Sequence, residues 1–309
     1  MRNHRSEEEI CGRWKGDLSR PVVSIACTAY NHAPFIEDAL AGFLMQETDF
    51  PFEILIHDDA SSDGTAEIIR RYARHYPNLF RPLFQTENQF SRGFKPNPEF
   101  NFSRARGVYI AVCEGDDYWT DPKKLQIQVD FLNSHPEYVI SGHDAFVIDE
   151  KGRKVQESKM PVRHKRDGAG EELVLNKIAV PTMSRVFRNV LGAFPPEGRM
   201  ILNGDIFITS LLGHYGMSKY HPEIGPACYR RHGGGIWSAM KEKEQRDAAI
   251  NSYYWIYRYY KRMNQGKYSA AYWDKYTVLV LRSTDRKRLM HELANRFFRS
   301  LRSFLGLGR

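Results

Sequence analysis

Three short apolar runs in the first 115 residues each end in a cluster of polar side chains, and this punctuation constrains the fold more than any other feature of the chain. Residues 21–29 (PVVSIACTA) run into Tyr30-Asn31-His32. Phe52 to His57 (FEILIH) runs into Asp58-Asp59-Ala60-Ser61-Ser62-Asp63-Gly64-Thr65, and Val108 to Cys113 (VYIAVC) into Glu114-Gly115-Asp116-Asp117. Short runs rich in β-branched and aromatic residues read as buried strands. Phe35, Ile36, Ala39, Leu40, Phe43 and Leu44 lie at helical spacing between the first two, and a second helix is predicted from Thr65 to Tyr76, stopped by Pro77. Leu79 to Gln85 reads as a further strand, residues 86–98 as loop and residues 99–106 as a helix. Strands alternating with helices predict βαβ units and a mainly parallel α/β sheet flanked by helices. Ligands of such sheets bind at the carboxyl ends of the strands, where these polar clusters fall.

Farther along, the pattern predicts a helix over 121–135, a strand from Tyr138 to Ile148, an exposed loop or lid over 150–176 and a strand from Ala179 to Phe187. A helix follows Asn203-Gly204-Asp205 within 200–215, residues 229–237 (YRRHGGGIW) form a Gly-rich loop, and tyrosine-rich helices cover 239–263 and 268–282. The expected organisation is an N-terminal extension (1–20), a main domain (21–238) and a basic helical C-terminal region (239–309).

Charge separates the last region from the rest. Residues 1–240 carry 29 Lys/Arg against 31 Asp/Glu, whereas residues 241–309 carry 16 against 6, so the net +8 arises entirely at the C-terminal end. Within it, Met290, Leu293, Ala294, Phe297, Phe298, Leu301, Phe304 and Leu305 mark one apolar helix face, with Arg296, Arg299 and Arg302 elsewhere on the wheel. Two readings stay open for residues 290–305: a peripheral membrane contact or a helix docked on the protein itself. A specific nucleic-acid partner is not expected, because no recognition motif accompanies the charge. An apolar share of 42% excludes a disordered chain, and no run reaches the ~18 apolar residues of a membrane span. The first residues, MRNHRSEEEICGRWKGD, lack a secretory h-region. Cys11, Cys27, Cys113 and Cys228 are widely spaced, consistent with reduced thiols in a cytoplasmic protein.

Glu114, Asp116 and Asp117 crowd one turn after a buried strand, and carboxylates this close repel unless a cation or several donors compensate. Hard oxygen ligands of this kind suit magnesium or manganese, usually alongside substrate phosphates. A helix-capping role would account for Asp121 ahead of Pro122 but not for three upstream acids.

The ordered array CTAYN, EILIHDDASSDGT and GVYIAVCEGDDYWTDPKKLQ resembles glycosyltransferase family 2, the inverting enzymes of GT-A fold that use nucleotide-sugars. The resemblance is close over residues 21–145 and looser through Asn203-Gly204-Asp205 and YRRHGGGIW. It implies that residues 21–120 bind the nucleotide, with Thr28, Tyr30 and Asn31 at the uracil ring and either Asp58 or Asp59 reading its edge. Glu114 and Asp116 match the first and third places of the family's DxD signature, with Glu in place of the commoner Asp at the first. Asp116, Asp117 and His232 then hold a divalent metal on the diphosphate of a UDP-sugar, and Asp205 acts as the catalytic base. Apart from the resemblance, Arg230 and Arg231, as electrostatic donors to the departing diphosphate, and Trp237, which follows the Gly-rich loop, are expected on the diphosphate or acceptor side within 121–238. The implied acceptor is a glycan or lipid-linked saccharide, with the enzyme at the cytoplasmic face of the inner membrane.

Two other readings compete. A sugar nucleotidyltransferase would need a Gly-rich basic loop after the first strand, where TAYNHAPF has no glycine. A non-catalytic nucleotide- or carbohydrate-binding protein would have no need for every acidic position. His57, His143, His214 and His221 read as structural, Trp119 and Trp255 as core or rim aromatics, and Arg92 and Lys95 as solvated loop residues.

Overall fold

The computed structural model describes residues 4–235 and 237–283. After α1 (Glu7–Cys11) the chain forms β1 (Val23–Ala29), α2 (Ile36–Leu44), β2 (Phe52–Asp58), α3 (Thr65–His75), β3 (Phe80–Phe84) and β4 (Tyr109–Val112). Then come α4 (Lys124–Ser134), β5 (Tyr138–Gly142), β6 (Ala145–Asp149), β7 (Lys154–Gln156), α5 (Gly170–Val174), β8 (Val186–Arg188) and α6 (Pro196–Met200). The last elements are α7 (Gly204–Leu212), β9 (Met217–Tyr220), β10 (Ala227–Arg231), α8 (Glu242–Arg262) and α9 (Gly266–Ser283).

Seven strands form the main sheet in the order β3-β2-β1-β4-β8-β5-β9. β1 runs parallel to β2 and β4, placing Val23 beside both Phe52 and Tyr109. Side chains alternate between two cores, as the two-residue repeat of a strand requires. Val23, Ile25 and Cys27 pack with α2, α3 and α4 on one face. Ala26, Ile110 and Val112 pack with Leu173, Ile208 and Leu212 of α5 and α7 on the other. With both faces covered, all seven residues of β2 are buried, which explains its nearly continuous apolar run.

The structure departs from the sequence pattern where long-range pairing decides. The single strand expected from Tyr138 to Ile148 is two: β5 joins the main sheet, and β6 joins a second sheet ordered β10-β6-β7. The chain breaks between them because Asp144 folds back to accept the N–H groups of Ala145 and Met160. The strand expected over 179–187 is interrupted at Pro181, which cannot donate to a ladder. Thr182–Ser184 form a 3-10 turn, and only β8 continues, antiparallel to β4 and β5. The helix expected over 99–106 is a π turn (Asn97–Asn101) followed by a 3-10 turn (Phe102–Arg104). Part of the expected lid is packed, since Leu173 and Val174 of α5 are buried. The first three residues of the expected Gly-rich loop belong to β10.

The tyrosine-rich helices pack on the main body. Ile256, Tyr260 and Tyr272 join Ile201, Phe207 and Leu211 in a third core. The Tyr260 hydroxyl lies 2.7 Å from Ser210 Oγ and 3.0 Å from His214 Nε2, and Tyr272 donates to the Val174 carbonyl. Among the described residues no helix is long and apolar enough to cross a membrane. Residues 290–305 lie outside the described residues.

Candidate active site

The polar clusters after β1, β2 and β4 meet at one edge of the sheet, and backbone bonds knit them together. Gly115 N–H donates to the Thr28 carbonyl, and Asp59 N–H to that of Ala29. Asn31 adopts φ 55° and ties the first cluster to the second: its N–H donates to Ser61 Oγ, and its side-chain oxygen accepts from Ser62 N–H. Asp63 closes the same corner, accepting from Ala33 and Thr65. Tyr30 is 48% exposed just beyond half-buried Thr28 at the end of β1.

The two acids at the carboxyl end of β2 are distinguished by their partners. Asp59 accepts backbone N–H bonds on both oxygens, from Gln89 and Phe90, and so pins the loop over 86–98. Asp58 accepts from Ser61 N–H on Oδ2, while its buried Oδ1 has no hydrogen-bond partner. Burial, more than any other influence, raises the Asp58 pKa.

Glu114, Asp116 and Asp117 bring carboxylate oxygens within 4.8 Å of one another, and Asp116, His32 and His232 form a second group within the same limit. Gly115 sits between the acids because a Cβ there would come within 2.7 Å of Ile36 Cδ1. Burial first, then the charges of Asp116 and Asp205, push Glu114 up to about 8. Burial first, then the charges of Asp116 and Glu114, raise Asp117 as well. For Asp116, burial also works upward, but the hydrogen bond from His232 and the proximity of His32 outweigh it, and its pKa falls. His232 Nε2 lies 3.0 Å from Asp116 Oδ2, and His32 Nε2 lies 3.9 Å from it.

Asp205 is the second residue of α7, with a side chain 48% exposed. It belongs to the same electrostatic group as Glu114. Thr182 Oγ1 donates to Asp205 Oδ2 at 2.6 Å, and Arg185 Nη1 stands 3.9 Å from Oδ1. Lys159 reaches in from the segment after β7, its Nζ 3.5 Å from the centre of the Tyr229 ring and its charge facing Asp117, Asp205 and Glu114.

Arg230 departs from the expected diphosphate contact. Its side chain is buried, donates to Asp38 Oδ2 at 2.6 Å and to the Asp116 carbonyl, and its backbone N–H donates to Asp117 Oδ1. It braces the acidic turn from behind. Arg231, next along β10, faces outward, bonds Gln156 and lines a cavity of about 450 Å³ with His232, Gly233 and Ser238. Trp237 is 38% exposed beyond that loop. Trp119 is buried in the core, as expected. Lys95 departs from the solvated loop by being buried. His57 is buried and stacked on Phe100, with burial lowering its pKa to about 4.

The residues that the sequence pattern missed are Lys159, Thr182 and Arg185, while His32 stood in the first polar cluster without a role of its own. Of the three missed, only Arg185 carried a signal, as a lone charge inside an apolar stretch.

A mainly parallel sheet whose carboxyl edge gathers these acids defines an α/β protein of GT-A type. The model described as "Glycosyl transferase family 2" matches residues 24–193, more than half of the 309-residue chain, and the protein belongs to that family. It is 40% identical over 216 residues to the uncharacterized protein Rv1520 of Mycobacterium tuberculosis, covering 70% of this chain and 60% of that one. The chain thus spans about three fifths of the length of that relative. It is also 33% identical over 134 residues to Bacillus subtilis EpsE, named as a glycosyltransferase, covering 43% of this chain and 46% of EpsE. Among solved structures it is similar to the mannosyltransferase PcManGT from Pyrobaculum calidifontis in complex with GDP-Man and Mn2+. The TM-score is 0.56 at 16% identity, with 92% of this chain and 83% of that one covered, a likeness of fold.

Proposed function

We propose that the protein transfers a sugar, with inversion at the anomeric carbon, from a nucleotide donor to a glycan or lipid-linked saccharide acceptor in bacterial surface polysaccharide assembly. The observation that carries this reading is the convergence of Glu114, Asp116 and Asp117 at the sheet edge, with Asp205 held beside them. UDP is the favoured donor nucleotide, because the Thr28–Tyr30 pair and a buried acid at the carboxyl end of β2 resemble the family's uracil site. Residues 21–238 would then form the catalytic unit, with 21–120 on the nucleotide side and 121–238 on the acceptor side. The basic residues of 239–309 suit the anionic cytoplasmic face of a membrane.

The acidic turn fits a divalent cation, since three hard oxygen donors lie within 4.8 Å, and burial with the neighbouring acids raises Glu114 when no cation compensates them. Asp116, Asp117 and His232 would hold it, with Glu114 alongside. When bound, magnesium or manganese supplies Lewis-acid stabilisation of charge on the departing diphosphate.

The chain's own residues do the rest. Tyr30 and Thr28 seat the base, and Asp58 Oδ1 offers a buried acceptor to its edge. Arg230 keeps Asp117 and the Asp116 backbone in register. Lys159 adds a positive charge beside the diphosphate, where fixed charges act strongly because little water competes. Asp205 takes the proton of the acceptor hydroxyl as that oxygen attacks, help typically worth ~10²–10⁴ in rate.

The test is a panel of UDP-, GDP- and dTDP-sugars with manganese, reading released nucleoside diphosphate. Turnover of at least one donor, abolished in the Asp116→Asn/Asp117→Asn double variant, is the expected result. Pyrophosphate as product would mean nucleotidyl transfer, and UDP binding without turnover of any donor would mean a binding protein.

A further inference from the structure

Asp205 is half exposed at the start of a helix, where a carboxylate is ordinarily free to rotate. Here two groups from one short segment hold it. Thr182 Oγ1 donates to Oδ2 at 2.6 Å, and the Arg185 guanidinium, only 4% exposed, stands 3.9 Å from Oδ1. No hydrogen bond reaches Oδ1 among the described residues.

The segment is itself fixed to the sheet and to α4. Trp119 Nε1 donates to the Met183 carbonyl at 2.6 Å, Gln128 Nε2 to that of Ser184, and Val112 N–H to that of Arg185. Arg185 Nη2 is spent on the Val180 carbonyl at 2.6 Å, and its Nε is buried without a partner. Arg185 therefore has little freedom to move toward the carboxylate, and it faces both Asp205 and Glu114.

We propose that Thr182 and Arg185 are positioning residues that select Asp205 Oδ1 as the oxygen that meets the acceptor. This rests on the reading of Asp205 as the base. Thr182 occupies Oδ2 and sets the plane of the carboxylate. Arg185 holds Oδ1 on the side of Glu114 but stays too far away to consume its lone pairs. In the transfer, the acceptor oxygen bonds to the anomeric carbon and the bond from that carbon to the β-phosphate oxygen breaks. The electron pair leaves with the nucleoside diphosphate, and the acceptor's proton passes to Oδ1. Geometry held to a fraction of an ångström is what such a step needs, and a small misplacement costs rate rather than substrate affinity.

The experiment compares Thr182→Val, Thr182→Ser and Thr182→Ala with Asp205→Asn in the full chain. It uses the donor selected from the panel above, with manganese and water as the acceptor, and measures released nucleoside diphosphate. Thr182→Val should lower kcat roughly 10–100-fold with the donor KM within about twofold, Thr182→Ala should do the same, and Thr182→Ser should recover to within about threefold. Wild-type kcat in Thr182→Val, or a Thr182→Ser variant as slow as Thr182→Val, would overturn the proposal. Full activity in Asp205→Asn would instead overturn the assignment of the base. A crystal structure of Thr182→Val gives a readout independent of any donor. The Asp205 carboxylate should be rotated away from its place beside Arg185, and an unmoved carboxylate would refute the positioning role.

Discussion

Lys124 offers the sharpest test of the packing that supports the site. Its ammonium is fully buried, donates to Gln128 Oε1 at 2.7 Å and lies 4.2 Å from the centre of the Trp119 ring. Burial, only partly offset by Cys113 and Asp121, lowers its pKa from 10.5 to about 7. A lysine whose folded pKa lies below its unfolded value contributes stability that is complete above about 10.5 and is lost as pH falls through about 7. At ~1.4 kcal/mol per pKa unit, the penalty is roughly 5 kcal/mol at pH 6 and roughly 2 kcal/mol at pH 9. Lys124→Met removes the titrating group and keeps most of the volume. It also leaves Gln128 Oε1 without its donor, at about 1 kcal/mol, but that cost is nearly independent of pH and cancels between the two conditions. Urea unfolding at pH 6 and pH 9 should show the variant gaining on wild type by about 2–3 kcal/mol more at pH 6. Turnover at pH 7.5 should change less than twofold, because the Gln128 bond to the Ser184 carbonyl is untouched. An equal difference at the two pH values would refute the reasoning, since Lys124 would then not be held as a desolvated ammonium.

Two further predictions concern the nucleotide side of the cleft. Ala60 sits at φ 63° directly after the paired acids, so Ala60→Gly should raise stability by about 0.5–1 kcal/mol in thermal denaturation, and a destabilised variant would contradict the strain. Tyr30→Ala should weaken UDP binding about 5–100-fold in calorimetry with manganese present, the usual worth of an aromatic ring under a base, and an unchanged Kd would remove the ring from the site.

The features legible in the sequence were those set locally. Three of the four strand ends in the first 115 residues carry their own turn chemistry, so the sequence alone places TAYN, DDASSDGT and EGDD on one sheet edge. What could not be read depends on partners far away in the chain. β8 lies antiparallel because Val186 and Phe187 pair with Ala111 and Ile110, and no local pattern encodes that choice. Thr182 and Asp205 are 23 residues apart, and nothing in either segment announces the other. Arg230 and Arg231 look alike as a pair, yet strand alternation buries the first against Asp38 and turns the second to solvent. Asp58 and Asp59 were equally placed in the sequence. The structure separates them through the loop beyond β3, whose backbone occupies Asp59 and leaves Asp58 Oδ1 unpaired.

Manganese binding tests the central claim most directly. Titrating Mn2+ into the full chain in the presence of UDP, with free ion followed by its electron paramagnetic resonance signal, should show one saturable site per chain. Asp116→Asn should weaken that site at least tenfold, because Asp116 is the residue shared by the acidic turn and the two histidines. No saturable binding to the wild-type chain, or equal affinity in Asp116→Asn, would contradict the account.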